Sequence, residues 1–416
     1  MSKKNKRKNK PSRRKKARPE EIKHLGGSLE VFGLEDPFKE SKTEKRRGPA
    51  QSSSVRTHGD PKHSAVLAKA LACSGHVDRA THSFHTYPAA MHPDMAKIII
   101  EHFPGAVHDP FSGGGTVLVE AICAGRTASG SDLSPVAQMV TRARCSPPSL
   151  ATPLRSAARK IAAQAQLRID MEIEEDLVQW YEPHVAQELA RIRAAIPEYS
   201  EDVQPLLWAV FSSIVIKCSY RKSDTSNQRV TYHRPPGTTA VLFHKRAREL
   251  GRMLETMPQD RSFSFNLDDA RLSGPPHPVD IILTSPPYPG VYDYLPLQQL
   301  RHIWMNLAPA QALCREIGSR RSFRSKGRSS ALGEWLKDTE LWIKKQAESL
   351  NPNGVMLIVV GDGLVGGKLV DALYPTTQAM ESSGLNIVAR ASADRPDHAR
   401  HAIRIEHLVM GQKPSS

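Results

Sequence analysis

The chain has 416 residues, 39% of them hydrophobic, and a formal net charge of +15, a length that holds one large domain with an insertion or two ordinary ones. Five scattered cysteines (Cys73, Cys123, Cys145, Cys218, Cys314) make no CxxC pair and no histidine is spaced for zinc, which excludes a disulfide framework or structural metal site and fits a reducing cytoplasm. No apolar stretch follows the N-terminal charges, and the longest apolar runs, such as Leu206–Cys218, fall short of the roughly 20 residues of a membrane span, so a soluble cytoplasmic protein is expected.

Residues 1–60 read as a disordered basic arm rich in Lys, Arg, Ser and Pro. The first eighteen residues hold eleven Lys or Arg and no acid, so most of the charge belongs to this tail. A contact to nucleic acid and a merely solvated polyelectrolyte are equally good readings of it. Order is expected from Pro61–Ala72, with an amphipathic helix over Met91–Phe103. Ala106–His108 starts a short strand that ends at Asp109-Pro110, Thr116–Ala124 has helical spacing, and Arg126–Ser131 leads into a second strand ending at Asp132. Strand, glycine loop, helix, strand, acid is the opening of a doubly wound, Rossmann-like α/β sheet. Leu154–Glu174, Glu182–Ile196, Val203–Cys218 and Thr239–Met257 then carry apolar residues at helical spacing. Strands resume with Val279–Thr284, the continuous apolar run Gly354–Gly361, and Ala402–Met410.

Residues 108–116 read His-Asp-Pro-Phe-Ser-Gly-Gly-Gly-Thr. Glycines let the backbone turn sharply and approach a ligand closely. No Lys-Ser/Thr follows them, which rules out the phosphate cradle of an NTPase. Asp132 is placed to accept from ribose hydroxyls. A ribose acid together with a loop that opens on another acid, Asp109, suits a nucleoside with a cationic amino-acid tail better than a pyrophosphate. That description fits S-adenosylmethionine.

Residues 284–288 read Thr-Ser-Pro-Pro-Tyr at the C-terminal end of the strand Val279–Leu283, the end at which open α/β sheets bind ligands. The prolines fix φ and leave carbonyls outside any helix. Those carbonyls and the Ser285 oxygen can accept from an NH2 group, and Tyr288 can stack on a planar base.

These residues carry a resemblance. Asp109–Thr116 is similar to motif I, and Thr284–Tyr288 to motif IV, of the amino-methylating DNA methyltransferases. His85–Pro93 resembles the segment before motif I, and Asn266–Arg271 the acid-bearing turn after the third strand. The resemblance implies a class I methyltransferase sheet with S-adenosylmethionine held by Tyr87, Pro88, Asp109, Pro110, Phe111, Ser112, Gly113, Gly115, Thr116 and Asp132, and by Asp269 at the adenine end. Ser285, Pro286, Pro287 and Tyr288 then form the catalytic turn. Ser-Pro-Pro-Tyr is typical of members that modify N4 of cytosine, whereas N6-adenine members more often have Asp or Asn first. The implied organisation is a basic arm (1–60), a first catalytic part that binds the cofactor (61–145), a helical insertion suited to target recognition (146–262) and a second catalytic part with the amine pocket (263–416). None of the five cysteines follows a proline, which disfavours C5-cytosine chemistry.

DNA is the expected partner and RNA the alternative, with no membrane; no residue pattern points to a restriction endonuclease partner. Gly318–Ser330, with Arg320, Arg321, Arg324, Lys326 and Arg328 and no acid, is the expected phosphate-gripping loop, with Phe323 as a wedge. Arg221, in Arg221–Ser226, is a further backbone contact on this reading. The rival readings are an N6-adenine DNA methyltransferase, an RNA base methyltransferase, a protein-glutamine methyltransferase, and a non-catalytic nucleic-acid-binding relic.

Overall fold

The computed structural model describes residues 55–415, apart from 89, 225, 232, 261, 308–314, 366–367 and 398–401. The chain first forms β1 (Arg56–Gly59), α1 (Pro61–Leu71), α2 (Pro93–His102), β2 (Val107–Asp109), α3 (Thr116–Cys123), β3 (Ala128–Asp132) and α4 (Pro135–Arg144). A helical run follows: α5 (Ala151–Gln164), α6 (Glu175–Val178), α7 (Pro183–Ala195) and α8 (Gln204–Cys218), then the hairpin of β4 (Arg221–Ser223) and β5 (Ser226–Arg229), then α9 (Thr238–Leu254). The third stretch gives β6 (Phe263–Leu267), β7 (Val279–Thr284), α10 (Tyr294–Leu297), α11 (Gln299–Trp304), α12 (Arg320–Ser325) and α13 (Arg328–Glu348). It closes with β8 (Leu350–Gly361), β9 (Gly363–Val365), β10 (Lys368–Val370), α14 (Leu373–Ser382), β11 (Asn386–Asp397) and β12 (Ala402–Gln412).

Eight strands make one sheet in the order β1-β11-β12-β8-β7-β2-β3-β6. From β8 to β6 the neighbours are parallel, while β12 runs antiparallel to both β8 and β11. This is the expected doubly wound α/β sheet. From β2 the chain works outward to β3 and β6, then returns to β7 and works outward the other way. The order therefore reverses between β2 and β7, where a crevice opens at the strands' C-terminal ends.

Alternation along the central strands sorts the core into two layers. Ile281, Leu283, Leu357 and Val359 face a cluster with Leu67 and Leu71 of α1, Ile99 and Ile100 of α2, and Val117, Leu118, Val119, Ala121 and Ile122 of α3. Ile282, Met356, Ile358 and Val360 face the other side, against Trp335 and Trp342 of α13 and Met380 of α14. The helices α5–α9 lie in the chain between β3 and β6. Among them α8 is buried nearly all round, as a helix must be whose residues are apolar on every face. No helix among the described residues is long and apolar enough to cross a membrane.

The structure departs from the sequence reading at several points. The expected arm ends before residue 60, because Arg56–Gly59 pairs antiparallel with Ala389–Ser392 and Arg56 bridges Asp394 at 2.8 Å; residues 1–54 lie outside the described ones. The helix expected over Leu154–Glu174 stops at Gln164. Side chains of α7 satisfy the backbone beyond it: Gln187 bonds both N–H and C=O of Met171 at 2.8 Å, and Arg191 donates to the carbonyls of Ala165 and Ile169. Such bonds offset the loss of intrahelical ones. α4 was not anticipated, although Ser134 caps it through Ala137 N–H and Pro135 opens it, the usual start signals.

Candidate active site

β2 delivers Asp109 to the crevice, and the next six residues turn into α3. The turn is held by its own backbone: Ser112 N–H donates to Ser131 O at 3.0 Å, Gly115 N–H to Ser112 O at 2.7 Å, and Ser112 Oγ to Asp109 O at 2.9 Å. Gly115 has φ +79°, and a Cβ there would stand 2.7–2.8 Å from the Thr141 side chain, so only glycine lets α3 start this close to α4. Asp132, at the end of β3, accepts from Gly113 N–H at 2.9 Å and Ser134 N–H at 2.8 Å. Arg144 of α4 was not singled out from the sequence. It is 3% exposed and donates to Gly114 O (2.7 Å), His85 O (2.6 Å) and His82 O (2.9 Å). It thereby fastens the segment leading to Tyr87 and Pro88 onto the glycine loop.

Tyr87, Pro88, the loop from Asp109 to Gly114, Thr116, Asp132, Asp269 and Ser285 line one cavity, with an empty volume of about 940 Å³ including its open mouth. Gly115 does not line it; its role is the close packing just described. Among the described residues, five acids border the space (Asp109, Asp132, Asp268, Asp269, Glu316) and no Lys, Arg or His does. Burial pushes the Asp109 carboxyl up to about 7, against the bonds it accepts from Thr284 Oγ1 and Phe111 N–H. Burial likewise takes Asp132 to about 6. A buried carboxylate without a counter-cation is costly, so a cationic ligand would relieve both acids, whereas a phosphorylated one would be repelled. Asp269 differs. Burial raises its carboxyl, but the Arg271 fork prevails and holds it below the usual range, through Nε at 2.9 Å and Nη2 at 2.7 Å. With Asp269 so engaged, its neighbour Asp268 is the acid better placed to accept from a ligand.

On the other side of the strand-order reversal, β7 ends at Thr284, whose hydroxyl bonds Asp109 at 2.6 Å. The residues of Ser285–Tyr288 then diverge. Ser285 and Pro287 line the acid-bordered cavity, while Pro286 is buried outside its lining. Tyr288 lines a second cavity that shares Ser285, Ala90, Met91 and Tyr294 with the first. The Tyr288 ring lies on bare backbone at Gly361, where a Cβ would come within 2.6 Å of it, and its hydroxyl bonds Glu406 Oε1 at 3.1 Å. Ser285 stands where the two cavities meet.

The basic segment is not the free loop the sequence suggested. Ser319 caps α12, and Phe323 is 6% exposed, packed inward rather than free to wedge. Arg320 donates to Val291 O, Arg321 bridges Glu316 at 2.8 Å, Lys326 bridges Glu334 at 2.8 Å, and Arg328 donates to Leu369 O at 3.1 Å. Arg324 is exposed. Arg221 is 4% exposed and donates to Leu297 O at 2.9 Å, so it does not reach a phosphate. Sequence showed the charge of these residues but not the acids and carbonyls that fold back onto them.

No protein-family model matches the chain. Over 240 residues it is 27% identical to the type II methyltransferase M.MvaI of Kocuria varians, a match that covers 50% of this chain and 53% of that protein. The chain thus spans about half the length of the curated relative it matches. Among solved structures it is similar to TrmN from Thermus thermophilus (10% identity, TM-score 0.31, 77% of this chain and 48% of that one). It is also similar to the rRNA methyltransferase aviRa from Streptomyces viridochromogenes (11% identity, TM-score 0.29, 79% and 88%). Likenesses this loose decide nothing about the chemistry of the present chain.

Proposed function

We propose that the chain is an S-adenosylmethionine-dependent methyltransferase that modifies an exocyclic amine of a nucleic-acid base, N4 of cytosine in DNA. The observation that carries this reading is the position of Ser285, between a cavity whose charged lining residues, among the described ones, are all acids and a second one walled by Tyr288. The likeness to a type II methyltransferase supports the same class. Bound in the first cavity, S-adenosylmethionine would supply an electrophilic methyl group on a cationic sulfur. Asp109, which lines that cavity, would offset the positive charge of the bound group. Each Asp132 oxygen already accepts one backbone N–H and has a second lone pair for a ribose hydroxyl. Asp268, with Asp269 behind it, borders the adenine end, and Tyr87 with Pro88 walls the methionine end.

Ser285 Oγ, which lines both cavities, accepts a hydrogen of the target amine. That pulls its lone pair out of conjugation with the ring and toward the methyl group. Tyr288 stacks on the extruded base. Fixing amine and methyl donor in line supplies much of the acceleration. Transfer of a labelled methyl group from S-adenosylmethionine to DNA and to RNA tests the reading. Label in DNA that depends on Ser285 supports it. Label in RNA alone moves the substrate to RNA, and tight cofactor binding with no transfer to either makes the chain a binding relic.

A further inference from the structure

The second cavity differs from the first in charge. It is lined by Arg395 and Arg404 of the β11–β12 hairpin and by Glu406, together with Tyr288, Tyr292 and Tyr294. Arg395 and Arg404 are cross-strand partners, and Ala393 pairs with Glu406. The three charged residues therefore share one face of the ladder. Glu406 is a bridge: Oε1 accepts from the Tyr288 hydroxyl at 3.1 Å and Oε2 from Arg395 Nε at 2.9 Å. Arg395 Nη2 also donates to Leu71 O at 2.8 Å. The guanidinium is thus anchored on two sides. Nη1 and the second hydrogen of Nη2 make no bond among the described residues, which leaves a planar pair of donors on a side chain that lines the cavity.

From this arrangement we infer that the second cavity receives the ring of the target base, and that Arg395, set in place by Glu406, determines which base is accepted. The inference rests on the base-amine reading above. Cytosine presents two acceptors beside its amino-bearing carbon, ring N3 and then O2. A guanidinium has donors only, in a fixed fork, so the edge of cytosine satisfies both prongs. Adenine offers N1 and then a C–H, which leaves one donor unpaired in a confined site, the kind of mismatch a polar pocket rejects most strongly. Glu406 is a positioning residue on this account: it aligns the donor fork and the stacking ring of Tyr288 through one carboxylate.

The test uses the full chain, unmodified PCR-amplified bacterial DNA and S-adenosylmethionine, with N4-methylcytosine and N6-methyladenine counted by nucleoside mass spectrometry. Arg395→Ala and Arg395→Lys should each lower the ratio of N4-methylcytosine to N6-methyladenine by about tenfold or more, the cost of one donor left unpaired once the base covers it. Cofactor affinity by calorimetry and the thermal midpoint should stay near wild type. Glu406→Gln, which keeps an acceptor for Tyr288 but loses the charge that anchors Arg395, should lower the ratio less. Arg395→Lys with wild-type rate and ratio would overturn the inference, because charge alone, as in a grip on phosphate, would then suffice. An unchanged ratio in Arg395→Ala, or N6-methyladenine as the main wild-type product, would overturn it too. A wild type that methylates neither base defeats the underlying reading and takes this inference with it.

Discussion

The two cavities that meet at Ser285 are built by opposite means. The first is shaped by backbone: a glycine turn, two strand ends and the N–H groups that hold Asp132. The second is shaped by side chains reaching from the last hairpin, with Glu406 tying Tyr288 to Arg395. Their charges differ as well: among the described residues, acids are the only charged groups lining the first, while Arg395, Arg404 and His92 line the second with Glu406. A cofactor that never varies suits a site whose form is fixed by main chain. A target base that must be chosen suits a site whose donors and acceptors can differ by single substitutions.

That division makes graded predictions. The largest effect should come from the junction, where Ser285→Ala and Tyr288→Ala should each reduce turnover about 100-fold, the scale seen when one positioned polar contact is lost from a reacting centre. Both should spare cofactor affinity, since neither is expected to touch the adenosine; a matching loss of affinity would merge the two cavities into one site. Next, Asp132→Ala should weaken S-adenosylmethionine binding by roughly 1–3 kcal/mol as ribose hydroxyls lose a charged acceptor. Calorimetry that finds no change would remove Asp132 from the cofactor face.

A pH dependence follows from Asp109, raised by burial from an ordinary 3.8 to about 7. An acid whose pKa is higher in the folded state contributes stability that is present below 3.8 and lost as the pH climbs to 7. A bound cation favours the ionised form, so the thermal shift caused by S-adenosylmethionine should grow over that window. Asp109→Asn should flatten the trend, and a shift that is equally pH-dependent in the variant would place its origin elsewhere. The smallest effect on chemistry should come from the arm. Deletion of residues 1–18 should lower nucleic-acid affinity and its salt dependence without altering the modified base. A changed product would make the arm part of recognition.

Much of the first cavity was legible in the sequence because its signals are local. Asp109 to Thr116 and Ser285 to Tyr288 sit on contiguous turns at predicted strand ends, and the fold brings both to one crevice. Arg144, Glu406 and Arg395 were not legible. Each acts on residues tens to hundreds of positions away, and nothing in its own neighbourhood marks it. Arg221 and much of the basic segment sit differently from the sequence reading for the converse reason. A guanidinium reads as surface charge in a sequence, yet Arg221 has gone inside to a backbone carbonyl and Arg321 and Lys326 have found acids. α13 could have been found, since Trp335, Thr339, Trp342 and Gln346 recur on one face at helical spacing. β11 is harder to see, because its buried face consists of small alanines, Ala389, Ala391 and Ala393, which carry little strand signal.

The central claim is a methyl group on a base amine, and the direct measurement is nucleoside mass spectrometry of DNA incubated with the chain and isotopically labelled S-adenosylmethionine. The account predicts labelled N4-methylcytosine in the digest, and its loss with Ser285→Ala. Labelled N6-methyladenine without N4-methylcytosine would contradict the assigned base. Cofactor bound in the acid-lined cavity with no labelled base from DNA or RNA would contradict the claim itself.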